Sequence, residues 1–179
     1  MAAASEILIL TGAPGAGKTS VARLLAQHWQ RSVHLESDRF FEFVANGYVE
    51  PWRSAAHGQN QAVMKIVGEA AAGYVRAGYS TVIDGIVLPG GFFEPLRDAL
   101  RDQGLAVAYA VLHPPLYVAL ERAKARSNGL SDPSVVEQLW NGFADLGPLG
   151  RHAFDSSRHS PAETAATVQG ALTAGVLSV

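Results

Sequence analysis

The chain has 179 residues and a formal net charge of −2, with 48% hydrophobic and 17% charged residues. This length and composition suit one globular domain with a packed core and exclude a disordered chain. The near-neutral charge gives no electrostatic footprint for nucleic acid, and the lack of cysteine excludes disulfides and thiolate catalysis.

Short apolar runs alternate with longer amphipathic segments along the chain. The predicted strands are 7–11, 33–36, 80–84, 105–112 and 152–155. The predicted helices are 17–30, 38–45, 57–76, 92–103, 115–126, a segment from 133 to about 145, and 161–175. Because strand–helix alternation implies parallel strands joined by crossover helices, we predict a single three-layer α/β domain over residues 1–179.

The phosphate loop, residues 12–19, carries the sharpest motif in the chain. Its sequence GAPGAGKT fits G-x-x-x-x-G-K-[ST] in full, after a predicted strand and at the start of a predicted helix. Glycine lets the backbone curl so that successive N–H groups point inward, and the helix N-terminus adds partial positive charge. This is the arrangement that grips a nucleoside triphosphate, so the sequence predicts ATP and Mg²⁺ as cofactors.

Within the loop, Lys18 is expected to reach the β- and γ-phosphates, and the Thr19 hydroxyl is expected to bind Mg²⁺. The residues predicted to contact the nucleotide are Gly12, Ala13, Pro14, Gly15, Ala16, Gly17, Lys18, Thr19 and Ser20.

Two acidic residues follow predicted strands. Asp38 stands in HLESDRF and Asp84 ends STVID. Since the carboxyl ends of parallel strands line the ligand crevice, Asp38 should lie near the phosphate loop, where it could accept the proton of a substrate hydroxyl. It could also serve as the N-cap of the next helix. Asp84 is typical of a Walker B strand and could hold Mg²⁺, bind substrate, or be a solvated strand-end acid.

A basic helix end follows in ERAKAR, where Arg122 and Arg126 are four residues apart and share one helix face. Two guanidinium groups there could clamp phosphates and neutralise transition-state charge. The alternative is a solvated helix end that interacts favourably with the helix dipole. The functional interpretation makes 127–133 a short lid that excludes water.

The region between Asp38 and the long helix near residue 57 is the expected acceptor site. Arg53, Gln59 and Asn60 suit a polar ligand that is anionic or polyhydroxylated, and ordinary surface polarity explains them equally well. Asp38 and Asp84 complete the predicted substrate-binding residues. Phe40, Phe41 and Phe43 are interpreted as core or pocket wall. The histidines at 28, 34, 113, 152 and 159 lack metal-ligand spacing and are interpreted as structural.

These patterns together resemble the small-molecule and nucleoside-monophosphate kinase branch of P-loop proteins over nearly the whole chain. The phosphate loop, SDRF, VIDG and ERAKAR carry the resemblance, and LWNGFADLG at 139–147 is similar to a helix of gluconate kinases. The ESD and VID positions resemble chloramphenicol phosphotransferase. The resemblance implies the P-loop NTPase fold, with a five-stranded parallel sheet in order 2-3-1-4-5 and helices on both faces.

The same resemblance assigns residue roles. It implies that phosphate and magnesium are bound by Lys18 and Thr19, the substrate hydroxyl by Asp38, and the nucleotide by Arg122 and Arg126. The lid SNGLSDP lacks an arginine, and DGIVL stands where adenylate kinases have DGFPR. Both departures disfavour a nucleotide as the acceptor, because its phosphate needs cations of its own.

The sequence therefore predicts an ATP-dependent kinase that moves the γ-phosphate to a hydroxyl of a small molecule, such as a sugar acid, an antibiotic or a similar metabolite. The alternative is a nucleotide-binding regulatory protein or NTPase switch without small-molecule kinase activity, although the chain has no N-K-x-D guanine reader. We expect a cytoplasmic monomer or homodimer with no membrane partner, because the N-terminus lacks a basic signal-peptide region and no apolar run is long enough to span a bilayer.

Overall fold

The computed structural model describes residues 6–125 and 130–179. The strands are β1 Ile7–Gly12, β2 Ser32–Glu36, β3 Ser80–Gly85, β4 Ala108–Leu112 and β5 Ala153–Phe154. The α-helices are α1 Lys18–Ala26, α2 Asp38–Glu42, α3 His57–Arg76, α4 Phe93–Arg101, α5 Leu116–Lys124, α6 Pro133–Asn141 and α7 Pro161–Thr173. Short 3-10 helices form at Ser54–Ala56 and Gly147–His152. None of the described helices combines the length and hydrophobicity that crossing a bilayer requires.

The strands form one parallel sheet in the order β2-β3-β1-β4-β5, which confirms the predicted order. The central strand β1 has β3 and β4 as neighbours, and Leu10 pairs with Asp84 on one side and Ala110 on the other. On the outer side of β3, Glu36 of β2 is in register with Asp84. The carboxyl ends of β1, β2 and β3 therefore meet at one edge, where an open α/β sheet binds its ligand.

Helices cover both faces of the sheet, as predicted. Because side chains alternate along a strand, Ile7 and Ile9 pack on the face covered by α3 and α4. Leu8 and Leu10 point to the opposite face and pack with residues of α1 and α7. The two hydrophobic cores hold the sheet between two layers of helices. They thereby position the edge of the sheet where the carboxyl ends of the strands meet.

Two predicted helices are too long. The helix predicted over 17–30 ends at Ala26, where the Ser32 hydroxyl donates to the Ala26 carbonyl and turns the chain toward β2. The helix predicted over 38–45 ends at Glu42, and the chain enters a loop in which Gly47 has a φ of 77°. The predicted ends are four and three residues too far along the chain, because local contacts that the sequence pattern does not show decide helix ends.

The sheet has an edge contact that the sequence pattern did not indicate. The C-terminal segment runs antiparallel to the start of β4, where Leu177 accepts a hydrogen bond from the Tyr109 amide at 2.9 Å. The Val179 amide donates to Val107 at 3.1 Å. Since β5 covers only the end of β4, this segment satisfies backbone groups that would otherwise be left at an edge.

Candidate active site

The phosphate loop has the curled backbone that its glycines predict. Gly12, Gly15 and Gly17 have φ values of 148°, 82° and 97°, which L side chains rarely adopt. A Cβ atom at Gly15 would also overlap the Ala119 carbonyl of α5. The loop is therefore held both by its own backbone and by the helix packed behind it.

Lys18 and Thr19 lie in the first turn of α1, at the open end of the phosphate loop. The Lys18 side chain is buried, and its ammonium donates to the Ala13 carbonyl at 3.1 Å. Thr19 is half-buried and Ser20 is exposed. The first amides of a helix have no intrahelical partner, so this turn offers N–H groups, a hydroxyl and an ammonium to an anion.

Asp38 is the first residue of α2, directly beyond the end of β2. The expectation that Asp38 itself is the N-cap is wrong, because Ser37 holds that position and neither residue caps the helix with its side chain. A Cβ at Gly85 would overlap the Ser37 hydroxyl, so this glycine lets the end of β3 approach the turn before α2. The close approach brings Asp38 and Asp84 to the same corner of the sheet edge.

The surroundings of Asp38 change its ionisation. Asp38 lies in an open cleft that water reaches, but protein surrounds the carboxyl group closely enough for burial to raise its pKa. The Lys18 ammonium opposes this rise in pKa, and the negative charge of Asp84 adds to it. The Ile86 amide donates a hydrogen bond that also lowers the pKa. These effects describe a carboxylate that faces the end of the phosphate loop and holds a proton more readily than an ordinary Asp.

Asp84 lies at the end of β3 and is 3% exposed. One carboxylate oxygen, Oδ2, is 3.1 Å from His34 Nε2, and the other, Oδ1, is buried without a hydrogen-bond partner. A buried carboxylate oxygen with no partner costs free energy, so it fits a site completed by a bound cation or its water. Sequence reasoning treated His34 as merely structural and missed this contact, because the parallel register that joins the two residues is not visible in one sequence.

No group of three His, Cys, Asp or Glu side chains in the described ranges 6–125 and 130–179 could hold a metal ion by itself. Thr19 and Asp84 are therefore too few to form a closed metal site. They fit Mg²⁺, which keeps several waters and takes its other ligands from substrate phosphates.

One cavity, about 310 Å³ in volume and called the smaller cavity below, borders the phosphate loop on the side of α5 and α7. The residues that line it are Gly15, Ala16, Gly17, Ser20, Val21, Arg122, Ser156, His159, Pro161 and Thr164. Arg122 donates to the carbonyls of Ser156 and Ser157 at 3.3 Å each. The Ser156 hydroxyl donates to the Ala16 carbonyl at 3.0 Å, which ties the segment after β5 to the phosphate loop.

Two predicted features fall wholly or partly outside the described residues. Arg126 lies outside them, as do residues 127–129 of the predicted lid. The described remainder of that segment includes Leu130, which lines the larger cavity, and Asp132, which caps α6. Arg122 is thus the one member of the predicted arginine pair that the described part of the structure positions.

The larger cavity, about 580 Å³ in volume, opens beside Asp38. The residues that line it are Asp38, Phe41, Glu42, Val44, Tyr48, Pro51, Trp52, Ile86, Phe92, Leu130 and Leu139. Of the predicted substrate-binding residues, only Asp38 is among them. Phe41 belongs to the wall as expected, whereas Phe43 points to solvent with 77% of its surface exposed.

Arg53, Gln59 and Asn60 do not line the larger cavity, and their role in substrate binding stays a prediction. Gln59 bonds both backbone groups of Val49, accepting from its amide at 2.9 Å and donating to its carbonyl at 2.7 Å. Asn60 donates to the Pro51 carbonyl at 2.8 Å. Arg53 is exposed and pairs with Glu50 at 3.0 Å.

The two amides therefore hold the loop 46–53 in place instead of facing a ligand. Sequence reasoning missed Tyr48, Phe92, Leu130 and Leu139 as wall residues. They come from three separate regions of the chain, and an apolar residue that lines a pocket has the same sequence signature as one in the core.

Comparisons with known proteins agree with this geometry. A sequence model described as an AAA domain matches residues 7–145. No curated protein sequence matches the chain significantly. The tunicamycin resistance protein of Deinococcus radiodurans is similar in structure, with a TM-score of 0.71 and 19% identity over 98% of each chain.

Two kinases show the same likeness. A gluconokinase from Sinorhizobium meliloti has a TM-score of 0.70 and 19% identity, covering 96% of this chain and 93% of its own. A shikimate kinase from Acinetobacter baumannii, solved with shikimate, has a TM-score of 0.64 and 20% identity, covering 96% and 94%. At these identities the likeness shows the fold, and it confirms the predicted resemblance to P-loop kinases.

Proposed function

The chain belongs to the AAA domain family that matches its residues 7–145, and on that premise we propose that it is an ATP-dependent phosphotransferase. It moves the γ-phosphate of ATP to a hydroxyl group of a small molecule. One observation carries the proposal: Asp38 stands where the phosphate loop meets the larger cavity, close enough to Lys18 for the ammonium to lower its pKa. A phosphate donor and a hydroxyl acceptor would meet at that carboxylate.

The proposed reaction is a direct displacement at the γ-phosphorus. The acceptor oxygen forms a bond to phosphorus while the bond from phosphorus to the β–γ bridging oxygen breaks, which gives a phosphate monoester and ADP. Asp38 accepts the hydroxyl proton, and Lys18 offsets the negative charge on the phosphates. The raised pKa of Asp38 suits a base that must hold a proton briefly near neutral pH.

Magnesium is the proposed metal cofactor. Thr19 would hold it through the hydroxyl, and Asp84 through its unpartnered Oδ1 atom, either directly or through water. When bound, the ion supplies positive charge beside the phosphates. His34 holds Oδ2 of Asp84 and so fixes which oxygen remains available.

The smaller cavity is the proposed place for the base of ATP. Its position against Gly15, Gly17 and Arg122 puts it on the outer side of the phosphate loop, away from Asp38. Arg122, with Arg126 proposed as its companion, would stabilise the phosphates or the base. The segment 127–133 is proposed as the lid, since Leu130 already borders the larger cavity.

The structural neighbours support phosphate transfer to small molecules. They are a gluconokinase, a shikimate kinase with shikimate bound, and a tunicamycin resistance protein. Sugar acid, cyclic acid and antibiotic are different acceptor chemistries, so the shared fold supports the type of reaction and leaves the acceptor to be argued from this chain's own cavity.

The proposal is tested by screening hydroxyl compounds for ADP release with Mg·ATP, using the wild-type protein and the Asp38→Asn variant. Wild-type should release ADP only with a suitable alcohol. Asp38→Asn should lose at least a hundredfold in turnover, because general-base catalysis contributes about that much or more, and should still bind ATP. Undiminished turnover in the variant would remove Asp38 from the reaction, and acceptor-independent ATP hydrolysis would favour the NTPase switch.

A further inference from the structure

The wall of the larger cavity is mainly apolar. Nearly all of its lining side chains are aromatic or aliphatic. The polar groups in the wall are the carboxylates of Asp38 and Glu42, the Tyr48 hydroxyl and the Trp52 indole N–H. No Lys, Arg or His is among the described residues that line it. A wall of this composition offers shape and hydrophobic contact to a ligand and no positive charge.

Several polar side chains of the elements around the cavity already have partners, although Asn60 Oδ1 is buried without one. Arg39 pairs with Glu36 at 3.1 Å and with Glu42 at 3.7 Å. Arg53 pairs with Glu50, and the amides Gln59 and Asn60 bond to the loop backbone. The Gln138 amide donates to the Trp52 carbonyl at 3.2 Å. These contacts fix the wall instead of presenting hydrogen-bonding groups to a ligand.

The segment after β3 is fixed in the same way. The Val87 amide donates to the Thr11 hydroxyl at 2.8 Å, and the Tyr109 hydroxyl donates to the Val87 carbonyl at 2.8 Å. This holds Ile86 against the cavity beside Asp38. The Ile86 side of the cavity is therefore held in place before a ligand binds, which favours a ligand that matches its apolar surface.

An anionic acceptor fits the wall of the larger cavity poorly. A carboxylate or phosphate group entering the cavity would lose water, would meet no Lys, Arg or His among the described lining residues, and would face the carboxylates of Asp38 and Glu42. An apolar ring would release water from Phe92, Trp52 and Leu139 and gain contact with them. A volume of about 580 Å³ accommodates a molecule with one or two rings.

We propose that the phosphate acceptor is an alcohol with an apolar, ring-sized body and no carboxylate, phosphate or sulfate group. This inference rests on the proposed phosphotransfer and names the acceptor class of the same site. The hydroxyl lies at Asp38, and the body lies between Trp52, Phe92 and Leu139. The acceptor is thus unlike a sugar acid, the polar class that Arg53, Gln59 and Asn60 suggested from sequence.

The test uses pairs of compounds that differ only in charge. Phenylpropanediol and phenyllactate share a ring and a hydroxyl, and a hydroxymethyl group in the first replaces the carboxylate of the second. Further pairs built on two fused rings and on a branched alkyl chain cover other body shapes, and gluconate serves as a sugar acid. Binding is measured by calorimetry with Mg·ADP present, and turnover is measured by ADP release.

We expect the neutral member of at least one pair to bind at least about tenfold more tightly than its acid, and gluconate not to bind. Trp52→Ala should weaken that neutral ligand about tenfold, because it removes a large apolar contact. Phe43→Ala is the matched control, since it truncates an exposed ring outside the cavity and should change binding less than twofold. Val44→Lys adds a cation to a partly exposed wall position. It should reduce the ratio between the affinity for the neutral member and the affinity for its acid.

The outcomes separate this inference from the proposed function. ADP release with the acids preferred over the alcohols would overturn the acceptor class and leave the kinase proposal intact, and equal binding within every pair would also overturn the class. Binding of no member of any pair would overturn it as well. Trp52-dependent binding of a neutral alcohol without ADP release would support the ligand class and overturn the kinase proposal.

Discussion

The phosphate loop and the larger cavity form two sides of one crevice, and they are built in different ways. The phosphate loop is a single run of eight residues, 12–19, whose backbone amides would make most of the proposed contacts to phosphate. The larger cavity is made by side chains from α2 and the residue Val44 after it, the loop 46–53, the segment between β3 and α4, Leu130, and α6. Phosphate recognition is therefore encoded locally, whereas acceptor recognition depends on how distant segments pack.

The two sides also differ in charge. The phosphate loop gathers an ammonium, a helix N-terminus and inward amides, all of which attract anions. The larger cavity has two carboxylates and an apolar wall. Asp38 lies at the boundary, where Lys18 and Asp84 act on its pKa in opposite directions. This contrast in charge agrees with the proposed arrangement, in which the triphosphate binds at the phosphate loop and the alcohol binds in the larger cavity.

The largest expected effect comes from removing the charge of the phosphate loop. Lys18→Ala should reduce phosphate transfer on the order of a thousandfold, because a preorganised cation beside the transferred group is lost. The measurement is kcat with saturating Mg·ATP. Lys65→Ala is the control, since Lys65 is exposed on α3 and should leave kcat unchanged. Equal, small losses of kcat in both variants would show that the positive charge of the phosphate loop does not distinguish it from the rest of the crevice.

A second effect tests whether packing, as well as backbone conformation, holds the phosphate loop. Gly15→Ala should lower the free energy of unfolding by about 3 kcal/mol or more, because the new Cβ adds overlap with the Ala119 carbonyl to the backbone strain. Gly17→Ala should cost only about 1–2 kcal/mol, since no atom lies within reach of its Cβ. Urea unfolding measures the change in the free energy of unfolding for both variants. Equal changes would show that packing against α5 does not support the phosphate loop.

A third prediction concerns stability at the boundary between the two sides. The pKa of Asp38 is raised on folding above its ordinary value of 3.8, so its ionisation opposes folding as pH rises through the folded-state pKa. Asp38→Asn stays neutral and should show an equal or higher Tm than wild-type at pH 7, with the gain disappearing below the unfolded pKa of 3.8. A lower Tm at pH 7 would contradict the raised pKa.

The same shift predicts the pH dependence of activity. As a base, Asp38 must be deprotonated, so kcat/KM should fall on the acidic side at a pH above the ordinary carboxyl value. Steady-state rates from acid to neutral pH, with enzyme stability checked at each point, measure this limb. An acidic limb at or below the ordinary value would place the titrating group elsewhere.

The smallest expected effect is at Arg53, which sequence reasoning assigned to the acceptor. Arg53→Ala should change KM for the acceptor less than twofold and stability less than about 0.5 kcal/mol, because its ion pair with Glu50 is exposed. Acceptor KM and urea unfolding give both values. A large rise in KM for an anionic acceptor would show that the larger cavity has a cationic side after all.

The contrast explains how much could be predicted from sequence. The curled loop and the position of Asp38 beyond β2 could be predicted because each depends on a short motif or on alternation along the chain, whereas the sheet order was implied by the resemblance to P-loop kinases. The supporting roles of Gln59 and Asn60 could not, because a polar residue near a ligand region has the same signature whether it binds a ligand or the backbone. The contact between His34 and Asp84 likewise depends on register between β2 and β3.

A triphosphate bound at the phosphate loop should pass its terminal phosphate to an alcohol in the larger cavity. The most direct measurement follows radiolabelled γ-phosphate from Mg·ATP in the presence of a neutral ring-bearing alcohol that binds the larger cavity. The label should appear in a phosphate monoester of that alcohol with wild-type protein and should be absent from it with Lys18→Ala. Label released as inorganic phosphate at the same rate with and without the alcohol would contradict it.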